Sequence, residues 1–268
     1  MGIADVLNVQ QSKDDATMAI NDPLGERRQE KEIIGLYYEN FDEVMTSGEE
    51  SERPWETPVT TQPQDVTTWI KDPRKIAAIQ PNLEDFVHIC RALTRPIRVL
   101  DVGCNGGYLY DYLTKSIFEN ADGFVYHGID IYKEVAAAAA KEHEDASNAT
   151  FEQGDIYTLV DTFGENSFDV VFCSRVLLHI PYFEKALMNL YLVSKTLTFL
   201  VLVVDDRDYV KKARIIDVDN GTSGYWFFRY FSRHFLDKVI NGMYAYYRII
   251  SGSGRYDSVV VFKGGRNL

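Results

Sequence analysis

The 268-residue chain has few cysteines, no long apolar run and a shortage of positive charge. Cys90, Cys104 and Cys173 are too few and too scattered for a disulfide framework or a zinc cage. Their apolar settings read as small core residues in a reducing cytoplasm. No stretch approaches the roughly 18 uninterrupted apolar residues of a membrane span. The opening "MGIADVLNVQQSKDDATM" lacks the basic-then-apolar pattern of a secretory signal. A cytoplasmic location without a membrane partner is therefore expected. Forty acidic against 28 basic residues give a formal charge of −12. Such a chain repels phosphate backbones, which argues against a nucleic-acid partner. The shortage is uneven: residues 1–98 carry a net −7, residues 99–205 −10 and residues 206–268 +5. The basic last segment reads first as a solvated surface and second as a local anion patch.

What is present is an ordinary globular composition, 46% hydrophobic and 25% charged, without internal repeats. Residues 1 to about 30 are polar and aperiodic. "EKEIIGLYYENFDEVM" then places Ile33, Ile34, Leu36, Tyr37, Phe41 and Val44 close to helical spacing. "TSGEESERPWETPVTTQPQDVTTW" is rich in turn formers and reads as a long loop or lid. A helical pattern resumes in "NLEDFVHICRALT", and Pro96 stops it. The expected division is a helical and loop extension over residues 1–85 and a nucleotide-binding domain over 86–268.

From residue 97 short apolar runs ("IRVLDV", "GFVYHGIDI", "ATFEQGD", "FDVVFCS", "LTFLVLVVDD") alternate with helical segments. This rhythm predicts a doubly wound, mostly parallel α/β sheet. "YYRIIS" and "YDSVVVFK", joined through Gly252 and Gly254, suit a C-terminal antiparallel hairpin. Seven strands are expected. "WFFRYFSRHF" spaces Phe228, Phe231 and Phe235 like one face of an amphipathic helix packed on that sheet.

The first strand runs into a glycine turn and a helix in "RVLDVGCNGGYLYDYL". A dinucleotide fingerprint requires G-x-G-x-x-G; here Asn105 replaces the middle glycine. Asp101, two residues before Gly103, opposes a pyrophosphate and suits a ligand with an ammonium group. Both features speak against a nicotinamide dehydrogenase. Asp101, Gly103, Cys104 and Gly107 resemble motif I, D-x-G-C-x-x-G, of the class I S-adenosylmethionine-dependent methyltransferases. "YHGIDIYKE", "FEQGDIYTL" and "SFDVVFCSRVLLHIP" resemble motifs II to IV in order. The resemblance covers residues 97–205 and, more loosely, the hairpin.

That resemblance implies binding of S-adenosylmethionine, with S-adenosylhomocysteine as product. It places Asp101, Gly103, Asn105 and Gly107 at the methionine end and Asp130 with Ile131 at the ribose. Asp155 and the Ile156 backbone would meet the adenine, with Ser174 beside the cofactor. Each carboxylate also has a local reading, as a turn or helix cap for Asp101 and Asp130 and as an Asx-turn for Asp155. The implied activity is methyl transfer to an oxygen or nitrogen of a small-molecule acceptor. A tRNA or protein acceptor, or a non-catalytic cofactor-binding role, are the alternatives. His179, in "VLLHIP", resembles a histidine frequent there in small-molecule methyltransferases and is the candidate base, weighed against local packing. Asp205 and Asp206 end the fifth strand, and Arg175 is a candidate carboxylate contact. His88, His127, His143 and His234 receive no role, and no metal is expected. Trp55, Trp69, Tyr225, Trp226 and Phe227, with Arg229 and Arg233, are candidates for covering the acceptor.

Overall fold

A computed structural model describes residues 18–21, 28–32, 37–38, 73–116, 123–180, 182–217, 222–250 and 256–263. The chain divides into two units. The larger comprises residues 65–177, 182–206 and 231–268, the smaller residues 1–64, 178–181 and 207–230.

In the smaller unit β1 (Met18–Asn21) and β2 (Arg28–Glu32) pair antiparallel, and β3 (Tyr37–Tyr38) is a two-residue strand. The larger unit begins with α1 (Pro73–Cys90), then β4 (Ile97–Val102), α2 (Tyr108–Ser116), β5 (Phe124–Asp130) and α3 (Lys133–Glu142). It continues with β6 (Ala149–Gln153), α4 (Leu159–Phe163), β7 (Phe168–Ser174), α5 (Phe183–Val193), β8 (Ser194–Leu202) and β9 (Val204–Asp205). Then come β10 (Tyr209–Asp217) and β11 (Thr222–Ser232) of the smaller unit, the last two residues of β11 excepted. The larger unit ends with α6 (Arg233–Gly242), β12 (Tyr246–Ile250) and β13 (Asp257–Phe262).

The seven-stranded sheet has the order β12-β13-β8-β7-β4-β5-β6. β13 alone runs opposite to the other six strands. The expected parallel sheet with an antiparallel hairpin is what forms. Strands β4, β7 and β8 are buried at nearly every position, as strands covered on both faces must be. Phe86 of α1, fully buried, meets Phe172 of β7 at 4.9 Å and Phe199 of β8 at 5.3 Å between ring centres. Burying such a side chain contributes about 1.5–3 kcal/mol. Buried Asn82 donates to Ser258 Oγ at 2.9 Å, and Ser258 donates to Asp85 at 2.8 Å, so a polar link also ties α1 to β13.

Two stretches differ from the sequence expectation. Tyr37 and Tyr38, at helical spacing in the sequence, pair with Lys211 and Val210 of β10. Ile33, Ile34, Leu36, Phe41 and Val44, and the proline-rich stretch with Trp55 and Trp69, lie outside the described residues. "GYWFFRYFS" is strand β11, antiparallel to β10 from Tyr209↔Tyr230 to Asp217↔Thr222. A run dense in aromatics favours a pleated surface once a partner strand is available. Phe231 and Phe235 still meet one residue, Phe183, at 4.7 and 5.5 Å, but from a strand and a helix rather than one helical face.

Candidate cofactor site

The site is built at one edge of the sheet. Asp101 is the penultimate residue of β4, Asp130 the last of β5 and Ser174 the last of β7. Asp155 and Ile156 follow β6. These four strands are parallel neighbours, so all the carboxyl ends lie on one edge, where open α/β sheets bind ligands.

The loop after β4 is set by its backbone. Gly103 (φ 75°), Asn105 (φ 50°) and Gly107 (φ 80°) are all left-handed. Asparagine tolerates that region better than other side-chain-bearing residues, which accounts for Asn105 where the fingerprint has glycine. The N–H groups of Gly103 and Cys104 both donate to the Ile129 carbonyl, at 2.8 and 2.9 Å. Asn105 N–H donates to Asp130 Oδ2 at 3.1 Å, and Tyr132 N–H donates to Asp130 Oδ1 at 3.0 Å. Asp130 therefore ties the β4 loop to the end of β5. Burial raises its pKa against the opposing effect of these backbone donors.

Asp101 is 3% exposed. Burial lifts its carboxyl from the ordinary 3.8 to about 7; the hydrogen bond from Tyr126 opposes the rise and the charge of Asp130 adds to it. Asp155 accepts from Tyr157 N–H at 2.8 Å, so its Asx-turn is formed. Ile156 is buried, and Ile131 is exposed at the end of β5. Two buried polar atoms at this edge, Asn105 Oδ1 and Ser174 Oγ, have no hydrogen-bond partner. Such atoms are costly unless a ligand meets them. Together with an ionisable Asp101 they fit a cofactor that is polar and carries an ammonium group.

His143, given no role from the sequence, supports the loop from behind. Its ring stacks on Phe151 at 4.9 Å, with Nδ1 2.9 Å from the Ala139 carbonyl and Nε2 3.1 Å from Asp111 Oδ1. Two acceptors favour two ring protons, so the imidazolium form of His143 can donate to both. A Cβ on Gly107 would lie 2.8 Å from its Cε1. The hydrogen bond with Asp111, foremost, raises its pKa above 6.5. The stability this contributes is full below pH 6.5 and is lost as pH rises through the folded-state value. His143→Gln is expected to cost about 1–2 kcal/mol at pH 6 and distinctly less at pH 9 in urea denaturation. An equal cost at both pH values would refute the imidazolium.

His179 lies in the turn after β7, not in a helix, and belongs to the smaller unit. There its ring meets Phe228 edge-on at 5.4 Å. Arg175 (φ 63°) lies over the Tyr256 ring at 5.5 Å. Arg229 is buried, and its N–H donates to the Leu178 carbonyl at 2.8 Å. On the site edge of the larger unit a cavity of about 330 Å³ is lined by Val204, Asp205, Asp206, Arg233, His234 and Asp257. Asp257 Oδ2 accepts from Val204 N–H at 3.1 Å and shapes its floor. The three cysteines are free and buried. Among the described residues no three His, Cys, Asp or Glu side chains are placed to hold a metal, and no helix is long and apolar enough to cross a membrane.

Residues 93–219 match the profile of a family described as a methyltransferase domain. No curated protein matches the sequence. Among solved structures, the carbon methyltransferase CurJ superimposes with a TM-score of 0.56 at 14% identity, over 74% of this chain and 58% of that one. The chain thus spans little more than half the length of that protein. A SAM-dependent methyltransferase from Aquifex aeolicus gives 0.52 at 17% identity over 75% and 98% of the two chains. The magnesium protoporphyrin IX methyltransferase of Synechocystis PCC 6803, solved with bound SAM, gives 0.51 at 17% over 70% and 81%. The fold, the carboxylate series and the family match agree: residues 93–219 resemble a methyltransferase domain, on a fold shared with SAM-dependent methyltransferases.

Proposed function

We propose that the protein is cytoplasmic, binds S-adenosylmethionine and transfers its methyl group to an oxygen or nitrogen of a small-molecule acceptor. The observation that carries this reading is the cavity of about 330 Å³ on the same sheet edge as the carboxylates. Its volume is that of a small-ligand pocket. Its lining of both signs, from Asp205, Asp206 and Asp257 against Arg233, suits a polar acceptor.

When bound, the cofactor supplies an already activated methyl group. The chain's residues then have three tasks. Asp101 receives the ammonium end, Asp130 and Ile131 flank the ribose, and Asp155 with the Ile156 backbone meets the adenine. Gly103, Asn105 and Gly107 let the backbone approach, and Ser174 offers its unpartnered hydroxyl. Fixing donor and acceptor in line provides much of the acceleration. The acceptor's proton is taken by His179, or by Asp205 or Asp206 if the acceptor sits in the cavity, a step worth roughly 10²–10⁴-fold.

The test is release of S-adenosylhomocysteine with purified protein and separate panels of small amines, small alcohols and phenols, bulk tRNA, and protein extract. Turnover with a small molecule alone is expected, and His179→Ala is expected to lower it at least about 100-fold with little change in cofactor affinity. Turnover confined to tRNA or protein would replace the acceptor class. Unchanged turnover in His179→Ala would leave that ring to its packing on Phe228.

A further inference from the structure

Tyr126 is an unusual residue for the middle of this sheet. It is 1% exposed, yet carries a hydroxyl that must be satisfied. Tyr126, Gly128 and Asp130 alternate onto one face of β5, and Gly128 is the register partner of Asp101 on β4. The Tyr126 hydroxyl thereby reaches Asp101 Oδ2 and donates at 2.6 Å, the length of a charge-assisted bond. The ring is held in place by Tyr110 at 5.3 Å and Phe151 at 5.2 Å.

Among the described residues, the groups facing Asp101 include no cation. Asp130 of β5 adds a like charge, and Cys104 of the loop and Cys173 of β7 are thiols that burial keeps protonated. No ion pair among the described residues involves Asp101. Burial, then the charge of Asp101 and its hydrogen bond, drive the Tyr126 phenol well above its ordinary value, so it remains the donor. Its hydrogen bond is the influence that favours the carboxylate form of Asp101.

We propose that Tyr126 is a positioning residue for cofactor binding: its hydroxyl keeps Asp101 as the carboxylate that receives the cofactor's ammonium end. The proposal rests on the reading of Asp101 given above. Only the ionised fraction of Asp101 is competent, so apparent affinity follows that fraction. Removing the hydroxyl moves the midpoint of the affinity–pH curve up by about one unit or more. For a midpoint near 7 this means roughly fivefold weaker binding at neutral pH and near-convergence with the parent by about pH 8.5.

The experiment is calorimetric titration of the full chain and its Tyr126→Phe variant from about pH 5.5 to 8.5. The ligands are S-adenosylhomocysteine, which has the amino group, and 5′-methylthioadenosine, which lacks it. The expected result is an upward midpoint shift for the first ligand in Tyr126→Phe and no change for the second. Asp101→Asn, which still accepts from Tyr126, is expected to bind S-adenosylhomocysteine weakly and without this pH dependence. A variant with the parent's curve, or one that loses both ligands equally at every pH, overturns the proposal and leaves Tyr126 a packing residue. If Asp101→Asn binds S-adenosylhomocysteine as the parent does, the reading of Asp101 fails and the proposal with it.

Discussion

Asp101→Asn is expected to be more stable than the parent above pH 7 and to bind S-adenosylmethionine about 10–100-fold more weakly. Both effects come from one buried carboxyl. Its pKa is about 7 in the folded chain, against an ordinary 3.8. The folded state therefore holds the proton more tightly than the unfolded chain. Stability from this group is full below about pH 3.8 and falls as pH rises to 7, by about 4 kcal/mol in all. Asparagine is neutral throughout and keeps an acceptor for Tyr126, so it avoids that loss. Thermal unfolding at pH 5 and pH 8 should show the variant gaining several degrees on the parent between the two. The same charge is what an ammonium group needs, so the variant exchanges affinity for stability. A variant less stable than the parent at pH 8 would show that the ionised carboxylate is not a burden on the fold.

The larger unit was legible from sequence because its signals are local. Apolar runs of strand length alternate with helical segments from residue 97, and each candidate carboxylate closes or follows such a run. The residues of the smaller unit were not legible in the same way. β2 is the polar run "RQEKE", and it pairs both with β1 and with β10 far along the chain, in which Glu30 lies opposite Ile216 and Glu32 opposite Arg214. Tyr37 and Tyr38 obey a helical spacing that β10 overrides. In the site, the roles read for the carboxylates were directed outward to a ligand. The Asx-turn of Asp155 was legible and is formed, but the sequence did not reveal the inward bonding of the other two: Asp130 holds the loop, and Asp101 is met by Tyr126. A signal for Tyr126 existed, since it precedes Asp130 by four residues on an alternating strand. His143 had none, because its partners Asp111, Ala139 and Phe151 come from three separate elements.

Gly103→Ala tests how far the cofactor loop depends on backbone alone. At φ 75° a β-carbon costs about 1–2 kcal/mol. The added carbon would also lie 2.3 Å from Val176 Cγ2, and relieving such overlap costs about 1–3 kcal/mol. The loop cannot simply swing away, because Gly103 and Cys104 share the Ile129 carbonyl and Asn105 is held by Asp130. The expected loss is thus about 2–5 kcal/mol by urea denaturation, with affinity for S-adenosylhomocysteine falling at least about tenfold. Combining Gly103→Ala with Val176→Ala separates the two causes. Removing Cγ2 relieves the overlap and leaves the left-handed backbone, so the double variant should recover the larger part of the stability and little of the affinity. If Gly103→Ala folds and binds like the parent, the loop adapts freely, and a chain-reversing glycine at this position is not what shapes the cofactor cradle.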